Sequence, residues 1–346
     1  MAGSGGIQTT VAVTQAPAVA GDWSSANPRT FFTSGPGGLV AGPSGLTVGL
    51  FAWLAWSGAA DTDSAPIIAQ NYFGGVPIGA SGFGGAGGAA PSGFVHREQQ
   101  GLNTTYLLDA SQTIPVGFPI ALCSSGDVWV KNDGSAAAYL GYQAFADFAT
   151  GKISFLAAGS AATTVTCATS TITAATSVSA TGGISGNLMT LTAANNTIYN
   201  GMKVTVGAAT GTVVVSQVTP LLTGETTGGI GRYYVSIPEQ SVAAGTSLTI
   251  AGYVLTLGGG SPATPSGTFK VGAYYTYSTT NAGYITQSVS GSGGTASGDV
   301  LAVLPVTGTT LSSNTVTATT NVATKWYAQS SGAAGELIKM SSHALG

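Results

Sequence analysis

His96, Arg97 and Glu98 stand in a row in the stretch GFVHREQQG (93–101), followed by Gln99 and Gln100. A histidine beside a carboxylate is the pairing that general acid–base catalysis uses, the carboxylate orienting the imidazole that moves the proton. If the stretch is a strand, side chains alternate. His96, Glu98 and Gln100 then share one face, and Val95, Arg97 and Gln99 the other. A hydrolytic triad also needs a nucleophile within reach of a histidine. The chain has only one other histidine, His343, three residues from the last. No Gly-x-Ser-x-Gly elbow occurs. Gly151-Lys152 lacks the upstream glycine and the following Ser or Thr of a phosphate-binding loop. Asp61-Thr62-Asp63-Ser64 opens like a calcium loop, but Ala65 sits where a further ligand belongs, and a solvated loop tip is expected. Asp109, Asp127, Asp133 and Asp147 share one region, as paired carboxylates for glycoside chemistry would. Each falls at a turn or strand end, where aspartate shapes the turn. Cys123 and Cys167 are too few for a metal site and are expected to be reduced, partly buried thiols. These residues point away from an enzyme and imply no cofactor and no metal. The 96–100 cluster is left a contact role, in which arginine and amide side chains supply the directional hydrogen bonds of an interface.

The elements that must carry such a cluster are strands. Charged residues make up 6% of the 346, against roughly 25% in an ordinary soluble domain. Gly, Ala, Ser and Thr dominate, with Val, Ile, Leu, Tyr, Phe and Trp in short bursts between turn-forming residues, which reads as many short strands. The Glu, Lys, Leu and Arg that build helices at 3.6-residue spacing are scarce. The net charge is −3, and the nine Lys and Arg are scattered, so no cationic footprint for nucleic acid is expected. The longest apolar run, VGLFAWLAW (48–56), is about half the ~20 residues of a membrane-spanning helix. No Lys or Arg precedes Arg29, so no secretory n-region is expected.

Along the chain, residues 1–20 read as an extended N-terminal arm, and 74–93 as a glycine-rich loop. Strands are expected at FVHREQQ (94–100), TTYLLDA (104–110), FPIALC (118–123), DVWVKN (127–132) and YQAFADFATGKISFL (142–156), a spacing that suits a β-sandwich or barrel. Residues 159–186 are almost all Ala, Thr and Ser and read as a linker. A degenerate repeat follows. Leu188–Leu191 aligns with Val254–Leu257, Lys203-Val204 with Lys270-Val271, and TSLTIA (246–251) with SNTVTA (313–318), giving tandem β-domains at 187–252 and 253–320. The tail 323–346 returns to the style of 21–158 and is expected to complete that domain, making the repeats an insertion.

The stretches GPGGLVAGPSGLTVGLFAW (35–53), PSGFVHREQQGLNTTYL (91–107), IPVGFPIALCSSGDVWVKNDG (114–134) and ATGKISF (149–155) resemble the structural cement, or head decoration, proteins of tailed bacteriophages. Leu50 stands where that pattern is basic. ATKWYAQSSGAAGELIKMSS (323–342) is similar to the end of larger members, and residues 187–242 to the Gly/Thr-rich β-domain that precedes it. The resemblance implies an all-β, jelly-roll-like barrel or sandwich with two inserted β-repeat domains. It implies a non-enzymatic protein on the outer surface of the virion that binds the major capsid protein, forms a dimer or trimer and cross-bridges capsid subunits with its repeats outward, without nucleic-acid or membrane partners. Arg29, His96, Arg97, Glu98, Gln99 and Gln100 are the expected capsid or subunit contacts. Host-surface glycans are a further partner the repeats could take, and the alternative is a receptor-binding or fibre-type tail protein.

Overall fold

The computed structural model describes residues 18–33, 38–42, 44–55, 67–73, 90–97, 112–186, 188–206, 212–218, 220–235, 240–258, 264–277, 281–289, 296–305 and 311–343, with strands and turns but no helix among them. The all-β expectation holds. One sheet has the order β1 (Thr30–Phe32), β8 (Leu122–Ser125), β6 (Gly93–Phe94), β4 (Phe51–Ala55), β5 (Ile67–Gln70), β2 (Leu39–Ala41). Within it only β2 and β5 pair in parallel. A second sheet has the order β11 (Ile153–Leu156), β10 (Gln143–Asp147), β24 (Asn321–Ala328), β25 (Leu337–Ser341), β9 (Asp127–Lys131), and β3 (Leu46–Thr47) pairs with β7 (Thr113–Ile114). These sheets form a base.

The six-stranded sheet explains the unbroken apolar run at 48–56. Along β4, Phe51 and Trp53 enter the core shared with the five-stranded sheet, while Ala52 and Leu54 enter a second core with Val48, Val95 and Leu122. A strand covered on both faces has no polar side to alternate with. At the centre of the shared core Trp326 of β24 meets Phe51 and Phe94, at ring-centroid separations of 6.3 and 6.1 Å. The Thr150-Gly151-Lys152 turn joins β10 to β11. Gly151 has φ +68°, and a Cβ there would collide with the Phe51 and Asn71 carbonyl oxygens, so only glycine fits.

Two closed barrels follow. The host barrel runs β12 (Thr164–Ala174), β19 (Tyr253–Thr256), β22 (Val300–Pro305), β21 (Asn281–Ser288), β20 (Tyr274–Tyr277), β23 (Leu311–Thr319). The inserted barrel runs β13 (Val178–Gly186), β14 (Leu188–Ala194), β17 (Gly231–Val235), β16 (Thr212–Gln217), β15 (Lys203–Thr205), β18 (Gln240–Ala251). Strand for strand the two orders are the same, so the repeat in the sequence is a repeat of topology. The barrels are nested, not in tandem. The inserted barrel interrupts the host between β12 and β19, and the Ala175 N–H donates to the Gly252 carbonyl across the crossing at 2.9 Å.

Residues 159–186 are therefore not a linker: β12 and β13, which open the two barrels, lie within them. Their inward positions on β12 include Cys167, Ser170 and Ile172, and the strand bulges twice, with Thr169 at φ 54°. Small inward residues and shifted register leave no clean alternation of polar and apolar residues to read.

The host barrel is seated on the base by aromatic packing. Tyr284 meets Phe73 edge-on at 4.6 Å and Tyr274 at 5.1 Å, and Phe73 meets Phe148 at 5.2 Å. Lys270 pairs with Asp147 at 3.6 Å beside this joint. At the neck the Thr320 N–H donates to the Thr163 carbonyl, and the Thr163 N–H donates to Asn321 Oδ1.

Two outcomes follow from this arrangement. Residues 175–252 expressed alone should fold, because their ends already meet, and should show β-type circular dichroism with one cooperative melt; an unfolded fragment would show that the inserted barrel depends on its host. Phe73→Ala should lower the stability of the intact chain by about 3–5 kcal/mol, the cost of emptying a buried aromatic site, measured by denaturant titration.

Candidate contact site

The candidate residues converge on Trp23. Residues 21–24 lie against β9 at the edge of the five-stranded sheet: Gly21 N–H donates to Trp129 O, Trp129 N–H to Asp22 O, and Ser24 N–H to Asp127 O. Trp23 is thereby bridged to Val128. The Arg29 guanidinium lies over the Trp23 ring, 4.1 Å from its centroid, a cation–π arrangement. The His96 ring sits 5.1 Å from Trp23 and 5.0 Å from Phe31, and Trp23 meets Phe31 at 5.9 Å. Arg97 pairs with Asp22 at 3.5 Å, both side chains about one-third exposed.

The strand expected over 94–100 is shorter than read. Only Gly93 and Phe94 form β6, and Val95 and His96 are both buried, so side chains do not alternate there. The chain leaves the ladder because the Val95 backbone bonds instead to Gly49 and Leu50, and the Arg97 N–H donates to Gly21 O. Glu98, Gln99 and Gln100 lie outside the described residues, as do TTYLLDA and the Asp61–Ser64 stretch. His96 is 4% exposed; its ring supports Trp23 and Phe31 from beneath. Arg29, Phe31 and Phe32 face outward on or beside β1, which is an edge strand of its sheet.

Asp127 anchors the segment. Its carboxylate accepts hydrogen bonds from Ser25 Oγ and Asn27 Nδ2, both at 2.5 Å. The side chain is 2% exposed. Burial raises its pKa, but hydrogen bonds from Ser25, Ser341 and Asn27 and the positive charge of His343 outweigh burial and hold it below the usual aspartate value. His343 Nε2 lies 3.1 Å from the Pro28 carbonyl, and Ser342 Oγ meets Ser125 Oγ at 2.8 Å, tying the C-terminal strand to the same loop.

Asp133 and Asp147 are also occupied locally, and Asp109 lies outside the described residues. Asp147 accepts from Ala149 N–H and Thr150 Oγ, and Asp133 pairs with Lys131. Among the described residues no group of three His, Cys, Asp or Glu could hold a metal. Cys123 and Cys167 are both buried, and Cys123 Sγ donates to the Ser125 carbonyl at 3.2 Å.

Sequence reasoning missed Trp23, Phe31, Asp22 and Asp127 as parts of this site. The signal was GDWSSANPRTFF (21–32), where aromatics flank a lone arginine in a chain poor in charge. The site's position is also informative. Trp23, Val128, Met340 and Ala328 form one cross-strand row. Ala328 is the end of β24 opposite Asn321 at the neck, seven residues on, or roughly 23 Å of strand. An exposed turn, Tyr139 and Leu140, flanks the same end, with the Gly141 N–H on the Ala328 carbonyl.

Compared with known protein families, residues 7–189 match the model of the XM1 gp53 minor capsid protein. Searches of curated proteins and of solved structures return no match. The matched span is 183 of the 346 residues and covers the N-terminal segment, β1–β13 and the start of β14. It therefore contains every residue converging on Trp23. The chain belongs to the XM1 gp53 minor capsid protein family and is a structural protein of the bacteriophage capsid.

Proposed function

We propose that the chain is a cement protein of the phage head, which binds the outer capsid surface as a dimer or trimer, cross-bridges major capsid subunits and holds its barrels away from that surface. The observation that carries this reading is the position of the Trp23 cluster, in the row at the end of β24 opposite the barrel neck. A cation stacked on an exposed-edge aromatic, flanked by Phe31 and Phe32, has the composition of an interface core, where aromatics and arginine are enriched. Each copy needs only modest affinity, because linked contacts on a repeating lattice act together. A low charge content limits repulsion between crowded copies.

A second reading, a receptor-binding protein, is favoured by one feature of the inserted barrel. Its 220–231 segment is held by the Arg232–Glu225 pair at 2.7 Å, by Gln217 Nε2 to Thr226 O and by Tyr233 OH to Gly229 O, and it carries Leu222 56% exposed. A loop ordered to this degree around an outward leucine is pre-organised for a partner.

Copy number separates the two. In purified particles a cement protein approaches the abundance of the major capsid protein, whereas a few dozen copies or fewer would support the receptor reading. Arg97→Ala should weaken attachment to heads lacking the protein while leaving the melting temperature nearly unchanged, since a pair this exposed is worth about 0–1 kcal/mol. Unchanged attachment with a lowered melting temperature would assign Arg97 to internal pairing.

Acid should act through Asp127. Its depressed pKa means that its contribution to stability is present above the value of a free aspartate, about 4, and is lost as pH falls through the lower folded value. Attachment and melting temperature should therefore drop together below about pH 4, and Asp127→Asn should lower the melting temperature at neutral pH and flatten the acid limb.

A further inference from the structure

Two turns close the base at the end of β24 away from the neck: 132–142, which joins β9 to β10, and 329–336, which joins β24 to β25. They interlock. Ala138 and Gly332 exchange both backbone hydrogen bonds, at 2.9 and 3.1 Å. Asn132 is fully buried and donates from Nδ2 to the Ala136 and Ala333 carbonyls, while its Oδ1 accepts from the Gly134 N–H. Its backbone N–H donates to Glu336 O, and its carbonyl accepts from the Gly335 N–H. The Leu140 N–H donates to Ser331 Oγ.

On this fixed backbone stand Tyr139, 55% exposed, and Leu140, 64% exposed, the most exposed large apolar side chain among the described residues. Tyr142 braces Tyr139 edge-on, with ring centroids 5.3 Å apart. A single exposed leucine is ordinary. An adjacent Tyr–Leu pair on a turn that is already ordered is different, because little conformational entropy remains to be lost when a partner covers it. The two charged residues of these turns are engaged locally: Asp133 pairs with Lys131 at 3.5 Å, and Glu336 Oε2 accepts from the Ala333 N–H. The complementary surface is therefore an apolar pocket rather than a charged one.

The row that starts at Trp23 reaches this turn. Trp23, Val128, Met340 and Ala328 pair in succession, and the Ala328 N–H donates to Tyr142 O. Four inter-strand spacings separate Trp23 from Tyr142, or about 19 Å. A specific interface covers about 800 Å² per partner, a patch roughly 30 Å across. A partner seated on the Trp23 cluster is thus wide enough to cover the turn as well. The family match over 7–189 contains both.

We propose that Tyr139 and Leu140 are a second anchor, which inserts into an apolar pocket of a major capsid subunit. The proposal rests on the reading that this end of the base meets the capsid. Tyr139 is of a type enriched among the residues that dominate interface energies, and Leu140 gains by removal of its apolar surface from water.

The test is attachment of the full chain to heads lacking it, titrated at fixed head concentration, with bound protein measured after sedimentation of the heads. Leu140→Ala and Tyr139→Ala should each weaken attachment about tenfold, as truncation of an anchoring side chain does, with the melting temperature nearly unchanged. Leu222→Ala, which trims a comparably exposed leucine on the inserted barrel, should bind as the unaltered chain does. If the unaltered chain binds and both turn variants bind equally well, the anchor is overturned and the cement reading stands. Equal weakening by Leu222→Ala would overturn it too, since the loss would then follow general apolarity. Lost self-association in sedimentation velocity with attachment kept would assign the turn to a contact between copies, against the proposal. If the unaltered chain fails to bind heads, the cement reading falls and the anchor with it.

Discussion

Trp326 packing between Phe51 and Phe94 is the contact on which the rest of this structure depends. Its two partners come from the first hundred residues, whereas Trp326 arrives after both barrels have been made. Until β24 returns, β10 has a partner on one side only, β25 cannot reach β9, and the core between the two sheets lacks its central ring. The barrels are built from closer pairings, most of all β13 with β14 and β15 with β16. Pairings close in sequence cost less chain entropy to form than the closure of the base. The same constraint sets the candidate contact site, because β9, which includes Asp127 and is bridged to Trp23, is held in its sheet by β25.

Nesting solves a geometric difficulty of adding mass to a capsid protein. A barrel inserted at a point where two strands run side by side leaves and re-enters at one spot, so the host loses no pairing. The chain does this twice: at Thr163 and Asn321 for the host barrel, and at Ala175 and Gly252 for the inserted one. Asymmetry between the joints matters more than their likeness. The lower joint is sealed by Phe73, Phe148, Tyr274 and Tyr284, whereas the upper one rests on Asn200, Gly201, Thr286 and Gln287 and borders a half-open cleft.

Much of the fold was legible because turns and strands write clearly into sequence. Asp127–Lys131, Gln143–Asp147 and Ile153–Leu156 are strands where the apolar pattern put them. The repeat was legible as similarity but not as topology, since nothing local tells a reader that β12 closes with β23 rather than with its neighbour in the chain. The Ala/Thr/Ser stretch misled because a narrow barrel takes small residues inward, as at Ser170. At the site, Arg29 and Arg97 could be picked out by their rarity. Trp23 could not be placed, because its role depends on pairing with β9 a hundred residues away. His96 looked reactive in a string of polar letters and is in the structure a buried ring supporting two others.

In the proposed cement role a low-charge base meets the capsid through one aromatic and cationic face, with the barrels carried at the other end. A cryo-electron microscopy map of the phage head, compared with heads lacking this protein, tests that placement most directly. The account predicts difference density on the outer surface with the Trp23–Arg29–Phe31 face in contact with major capsid subunits and both barrels pointing into solvent. Density with the barrels against the shell, or confined to the neck or tail, would contradict it.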